Sequence, residues 1–382
     1  MRAPATTSGT MTDGISDVNG APPRLSTLDR FLPVWIVAAM VLGIGLGELI
    51  PRLGEWLDRV KVADVSLPIA IGLLWMMYPV LARVSYESLG RFRTEGRLFA
   101  TSMVFNWVIG PLLMFGLAWL FLPDHPEYRN GLILIGIARC IAMVLIWNML
   151  ARGDGDTAAI LVAINSVFQI LMYSLYGWLL LTVVPGWFGA DQAALDVSVW
   201  TIARNVLIFL GIPLLAGYLT RRLLRPRIGA ERYDGPFMAR LGPTALLGLL
   251  YTIVIMFALQ GDRILDVPLD VVRIAIPLLV YFVIMFGLSF VLSWRLGFDY
   301  PRTAALSFTA AGNNFELAIA VAVGVFGITS GEALAGVVGP LIEVPALIAL
   351  VYLSLWLRDR LFPGSAGQPV VTPTTSAGRR LT

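Results

Sequence analysis

The sequence predicts an all-α polytopic membrane protein in which ten helices form two five-helix units of opposite orientation. Three observations point there. Only 14% of the 382 residues are charged and 57% are hydrophobic, whereas a soluble domain carries about 25% charged residues. Apolar runs of roughly the 20 residues needed to cross a bilayer recur along the whole chain. Features of the first half return in the second.

The ten runs lie at about 31–50, 66–85, 98–122, 131–151, 157–184, 199–224, 239–260, 271–295, 302–327 and 332–357. Each reads as a helix. A barrel strand would alternate polar and apolar residues over about ten positions, and "LPIAIGLLWMMYPVLA" does not alternate. The frequent Gly and Pro suit membrane helices, whose neighbours re-satisfy backbone groups freed at a break. Trp35, Trp56, Trp119, Trp187, Trp200, Trp294 and Trp356 fall near run ends, as an interfacial belt requires.

Charge fixes the expected orientation. Of the 28 Lys and Arg, 20 fall in the two tails and in segments 83–97, 152–156, 221–240 and 295–302, all on one side of the predicted membrane. Basic residues collect on the cytoplasmic side, so both termini are expected in the cytoplasm of a cell whose plasma (inner) membrane holds the chain. The net charge of +3 is thus a topology signal and gives no reason to invoke nucleic acid. Residues 1–28 and 361–382 are too polar and Gly/Pro/Ser-rich to bury a core and read as disordered cytoplasmic tails, the first lacking the apolar run of a signal peptide. A single cysteine excludes an internal disulfide, and there is no His/Cys cluster for zinc.

Sliding the chain against itself by 176 residues places "GLLW" (72–75) on "GLLY" (248–251), "GDGDTAA" (153–159) on "TSGEALA" (329–335), and Cys140 on Glu316. Five is odd, so a second five-helix unit enters from the other face. The repeats, 29–185 and 186–360, are therefore inverted, an architecture that puts a secondary transporter's site at mid-membrane between the repeats.

The polar residues inside the runs stand out. Cys140, the only cysteine, lies near the middle of 131–151 beside Arg139, and a charge at bilayer centre costs at least about 2.5 kcal/mol. A lone membrane cysteine is most simply a packing residue, but an adjacent cation favours the thiolate that attacks or ligates. Glu316 lies deep in the ninth run, preceded by Gly312, Asn313 and Asn314, a sequence suited to a helix break around a cavity. Glu316 is either a proton carrier or a permanent partner of Arg139, and the pairing is the favoured role for Arg139. Asn165 and Gln169 share a helix face and read as stitching between helices. Glu343 sits mid-run between Pro340 and Pro345.

Taken together, these residues resemble the arsenical-resistance-3 family of arsenite efflux permeases, within the bile acid/arsenite/riboflavin transporter superfamily. The resemblance spans roughly residues 29–360. It rests on "MMYPVLARVSYESLG" (76–90), "ARCIAMVLIWNMLARGD" (138–154), "LVAINSVFQILMYS" (161–174), "FTAAGNNFELAIAVAVGVFG" (308–327) and "SGEALAGVVGPLIEVPALI" (330–348). It implies ten helices as two inverted repeats, with the fourth and ninth broken and crossing. It implies export of As(III), and often Sb(III), and places the family's essential cysteine on Cys140 and its essential glutamate on Glu316. Met149 departs from the polar or acidic residue expected there.

The chemistry agrees. Arsenite at neutral pH is mostly As(OH)3, whose soft arsenic favours sulfur. Three thiolates would hold it too tightly for turnover, whereas one thiol, with amides and a carboxylate bonding the hydroxyls, permits release. Cys140, Glu316, Asn313 and Asn314 are accordingly expected to bind substrate, with Arg139, Glu343, Asn165 and Gln169 supporting or coupling. No cofactor is expected, and no metal beyond As(III) on Cys140. The phosphate-cradling pattern GxxxxGK[ST] is absent, so an ion gradient, expected to be protons in antiport, supplies the energy. The rival within transport is a sodium-coupled organic-anion symporter of the same superfamily, in which the thiol has no place. A cysteine hydrolase would need a nearby base, and the single histidine, His125, sits in a loop.

Overall fold

The computed structural model describes residues 31–50, 52–53, 61–62, 65–84, 96–141, 143–187, 198–265 and 268–363. The N-terminal tail, the residues beyond 363, Trp56, Arg59, Arg91 and Arg93 lie outside the described residues. The order is α1 (Leu32–Leu49), a hairpin of β1 (Lys61–Val62) and β2 (Val65–Ser66), α2 (Leu67–Arg83) and α3 (Gly96–Phe121). Two half-length helices follow, α4 (Pro126–Ile137) and α5 (Met143–Leu150), then α6 (Gly155–Trp187) and α7 (Val199–Ile228). The helix α8 runs through Ala230–Arg232, Tyr233–Phe237 and Met238–Leu265, and α9 covers Pro268–Arg295. A second pair of half-helices, α10 (Tyr300–Ala311) and α11 (Phe315–Phe326), precedes α12 (Gly331–Leu361). The two-residue strands, pairing Lys61 with Ser66 and Val62 with Val65, are the only named strands among the described residues.

Six described helices are long and apolar enough to cross a membrane, and α1, α2 and α11 add shorter apolar segments. The runs at 131–151 and 302–327 are absent from the six because each is split in two. Leu120, Leu171, Leu215 and Val283 point outward and exposed, a surface stable only against lipid. The chain is a multi-pass membrane protein.

Proline shapes three of the long helices. Single π-helical turns at Phe105–Ile109, Leu179–Val183 and Leu207–Gly211 each end two residues before a proline: Pro111, Pro185 and Pro213. A proline ring clashes with the carbonyl four residues back and has no N–H to offer it. That carbonyl belongs to Trp107, Leu181 or Phe209, the centre of each π turn, and the wider turn gives the ring room. At Trp107 the released carbonyl accepts the Tyr176 hydroxyl, so the break becomes a link between α3 and α6.

The helices pack in two groups. In one, α8 lies along α1 and α2, and the Ile212–Ile228 part of α7 packs on α2. In the other, α12 contacts α4, α9 and α11, while α3 packs on α4 and α9 on α10. The Val199–Val206 part of α7 joins the groups through α6 and α11. Helix starts are capped by side chains: Asp154 accepts the N–H groups of Asp156 and Thr157 at α6, and Ser330 accepts that of Ala333 at α12. Asp154 also accepts the Thr157 hydroxyl at 2.8 Å. Asp154→Ala is therefore expected to cost about 1 kcal/mol, read as a lower melting temperature of the detergent-solubilised protein.

Candidate functional site

Where α4 stops at Ile137 and α10 at Ala311, the chain leaves the helix and each break pairs with the other. Ala138 is extended (φ −84°, ψ 113°), and Arg139 forms an isolated antiparallel bridge with Asn313. The Cys140 N–H donates to the Gly312 carbonyl at 3.3 Å and the Asn314 N–H to the Ala138 carbonyl at 3.1 Å. A helix end leaves backbone groups without partners, and lipid supplies none. The two breaks satisfy one another.

Side chains complete the junction. Asn313 Nδ2 donates to the carbonyls of Ile135 (2.7 Å) and Ala138 (3.2 Å), closing the end of α4. Asn314 caps α11, its Oδ1 accepting the Leu317 N–H at 3.1 Å. From outside the breaks, Gln169 Oε1 on α6 accepts the Arg139 N–H at 2.9 Å, and Glu343 Oε1 on α12 accepts the Asn313 N–H at 3.3 Å. Asn313→Ala removes two buried hydrogen bonds, worth about 0.5–1.5 kcal/mol each, while the Ala138 and Asn314 N–H groups still serve the two carbonyls. It is expected to lower the melting temperature clearly more than Asp154→Ala in the same assay.

Cys140 is 2% exposed and packs on Gly312. A Cβ at Gly312 would lie 3.0 Å from Cys140 Cβ and 3.4 Å from its Sγ, so only glycine allows this approach without displacement. A cavity of about 340 Å³ adjoins the junction, between α2 and α8 on one side and α5 and α11 on the other. Asn314 and Glu316 supply polar groups to its wall, beside Met76, Ile141 and Met149. Cys140 itself is not on that wall; the next residue, Ile141, is. Glu316 is partly exposed in the first turn of α11, and Glu343 on α12 is buried.

The favoured pairing of Arg139 with Glu316 is not formed. The Arg139 guanidinium is fully buried, and it donates to Tyr281 Oη at 3.0 Å and to the Gly136 carbonyl. The reason is local: consecutive residues in extended backbone face opposite ways, so Arg139 and Cys140 diverge. The guanidinium turns toward α3 and α9, where a Cβ on Gly110 would lie 2.6 Å from its Nη1. Asn165 bonds α3 and not the breaks, accepting Trp107 Nε1–H at 3.2 Å and donating to Asn106 Oδ1 at 3.5 Å. Gln169, by contrast, belongs to the junction.

Tyr281 and Gly110 escaped the sequence reading, since neither carries any signal within an apolar run. Arg83, read as a topology charge, lies on the cavity wall.

Residues 70–267 match the model of the Sodium Bile acid symporter family, which takes in the first break. The chain is 51% identical to the arsenical-resistance protein Acr3 of Corynebacterium glutamicum over 355 residues, 93% of this chain and 96% of that one. The chain belongs to the sodium bile acid symporter family and, within it, to the Acr3 arsenical-resistance proteins. An alignment of that length must include both breaks. The Acr3 of Alkaliphilus metalliredigens is 32% identical over 339 residues, covering 85% of this chain and 92% of its own. An uncharacterized transporter of Synechocystis is 35% identical over 347 residues, 86% and 88% of the two chains.

Proposed function

We propose that this Acr3-family chain is a secondary transporter that exports trivalent arsenic, as As(OH)3, from the cytoplasm. The observation that carries this is the placement of its only cysteine inside the paired breaks, against Gly312, with Asn314 and Glu316 on the adjoining cavity wall. Cys140 is the arsenic ligand. Asn314 Nδ2, buried and without a hydrogen-bond partner, donates to an arsenic hydroxyl, and Glu316 bonds another. Asn313 holds the junction closed, and Gln169 and Glu343 clamp its two backbone N–H groups. Arg139 anchors the first break to α9 through Tyr281. Antimony(III), with the same affinity for sulfur, is a second cargo.

The cavity wall includes Arg83, Met149 and Ala239, beside the segments that hold the basic excess. This supports a mouth on the cytoplasmic side and cytoplasmic termini. Ten membrane segments in two inverted repeats, 29–185 and 186–360, give the reading its architecture. In its support, Asn313 follows Arg139 by 174 residues and Glu343 follows Gln169 by the same interval, in matching roles. The breaks belong to the fourth and ninth segments, which cross at this point. Export is driven by proton antiport through Glu316.

As(III) uptake by everted membrane vesicles under an imposed proton gradient tests this. Wild-type vesicles accumulate As(III) without sodium, and Cys140→Ala and Glu316→Ala vesicles do not. Accumulation that requires a sodium gradient and survives Cys140→Ala would instead identify a sodium-coupled organic-anion carrier.

A further inference from the structure

A cavity of about 610 Å³ lies away from the breaks, at the turn between α7 and α8, lined by Tyr218, Arg221, Arg222, Arg225, Pro226 and Gly229, among others. Three guanidinium groups facing one hollow repel one another and require anionic charge. Among the described residues Asp234 supplies a carboxylate there, accepting from Arg221 and from Arg225, each at 3.0 Å. Arg222 is exposed and donates to the Tyr218 hydroxyl at 2.6 Å. Segment 221–240 as a whole holds six arginines against Glu231 and Asp234, a basic excess at this turn.

The helix leading into this hollow is apolar and outward-facing. Leu215, Leu219 and Leu223 follow one another at four-residue spacing and are 57%, 42% and 53% exposed, forming one stripe on α7. Leu215 and Leu219 lie three residues before Tyr218 and Arg222, on adjoining faces. Phosphate-shaped anion recognition thus sits at the end of a lipid-facing hydrocarbon track. A free phosphate would use only the first of these features. A phospholipid uses both.

We propose that the α7–α8 turn is a binding site for one anionic phospholipid, its phosphate held by Arg222 and Arg225 and its acyl chains lying along the Leu215–Leu223 stripe. Hydrogen bonds link the site to the end of α2, whose Arg83 lies on the wall of the cavity beside the breaks. Arg221 also donates to the Arg83 carbonyl at 3.5 Å, Arg83 Nη2 donates to the Met238 carbonyl at 3.5 Å, and the Tyr233 hydroxyl donates to the Ala82 carbonyl. These bonds tie α7 and α8, on which the lipid would sit, to the end of α2, which forms one wall of the cavity.

Native mass spectrometry of the detergent-solubilised full chain, titrated with dioleoylphosphatidylglycerol, dioleoylphosphatidylcholine or inorganic phosphate, tests the site. Retention of one phosphatidylglycerol in preference to phosphatidylcholine is expected. Binding should weaken about fivefold for each arginine removed, from roughly 1 kcal/mol per basic residue near an anionic surface. Arg222→Gln serves as the conservative variant, since its side chain is exposed, and Arg222→Gln/Arg225→Gln as the stronger one. Arg358→Gln/Arg360→Gln, basic residues at the end of α12, should leave retention unchanged. Equal retention of the two lipids, or of phosphatidylglycerol by wild type and Arg222→Gln/Arg225→Gln, would overturn the proposal. So would displacement of the lipid by millimolar inorganic phosphate, which would assign the hollow to a free anion.

Discussion

Cys140→Ser is expected to lower As(III) export by more than about 100-fold while leaving the fold intact. Loss of groups that merely orient metal ligands reduces affinity 10–100-fold, and Cys140 is proposed as the ligand itself. Serine keeps the backbone bond from residue 140 to the Gly312 carbonyl and is slightly smaller than cysteine where Gly312 packs close. The junction should therefore form, and the melting temperature should stay near that of wild type. Export rates in everted vesicles and melting curves on the same preparation separate loss of ligation from loss of structure. A serine variant that exports at a comparable rate would show that the thiol is a packing group.

Glu316→Gln is expected to uncouple export from the proton gradient. The amide matches the carboxyl in shape and still bonds an arsenic hydroxyl, but it carries no proton between the two faces of the membrane. Downhill As(III) movement should persist at a reduced rate, whereas uphill accumulation and its dependence on imposed pH difference should vanish. Glu343→Gln provides the contrast. Its Oε1 accepts the Asn313 N–H, as Gln169 Oε1 accepts the Arg139 N–H, so an amide should hold that bond and retain gradient dependence. If Glu316→Gln vesicles respond to pH as wild type does, the proton passes elsewhere.

Much of this was legible in the chain because lipid imposes a simple rule: long segments must be apolar and helical. The second break was legible in "GNN" (312–314), where small and amide residues replace helix-forming ones. The first was harder to read, since "ARCIA" (138–142) contains neither Gly nor Pro and only its polar residues mark it. The direction of Arg139 was not legible, because it depends on extended backbone that forms only when both breaks meet. The proposed repeat meets the same limit. On the proposed repeat the matching caps, Asp154 and Ser330, lie 176 residues apart, but the paired break residues Arg139 and Asn313 lie 174 apart, which would set Cys140 against Asn314 and leave Glu316 two residues further along α11. Short apolar matches cannot resolve a two-residue difference.

The central claim is that arsenic binds the sulfur of Cys140 in the paired breaks. X-ray absorption at the arsenic edge, on purified protein loaded with As(III), measures this directly. The account predicts one sulfur neighbour with the remaining neighbours oxygen in wild type, and oxygen alone in Cys140→Ser. Oxygen-only coordination in the loaded wild-type protein would contradict it.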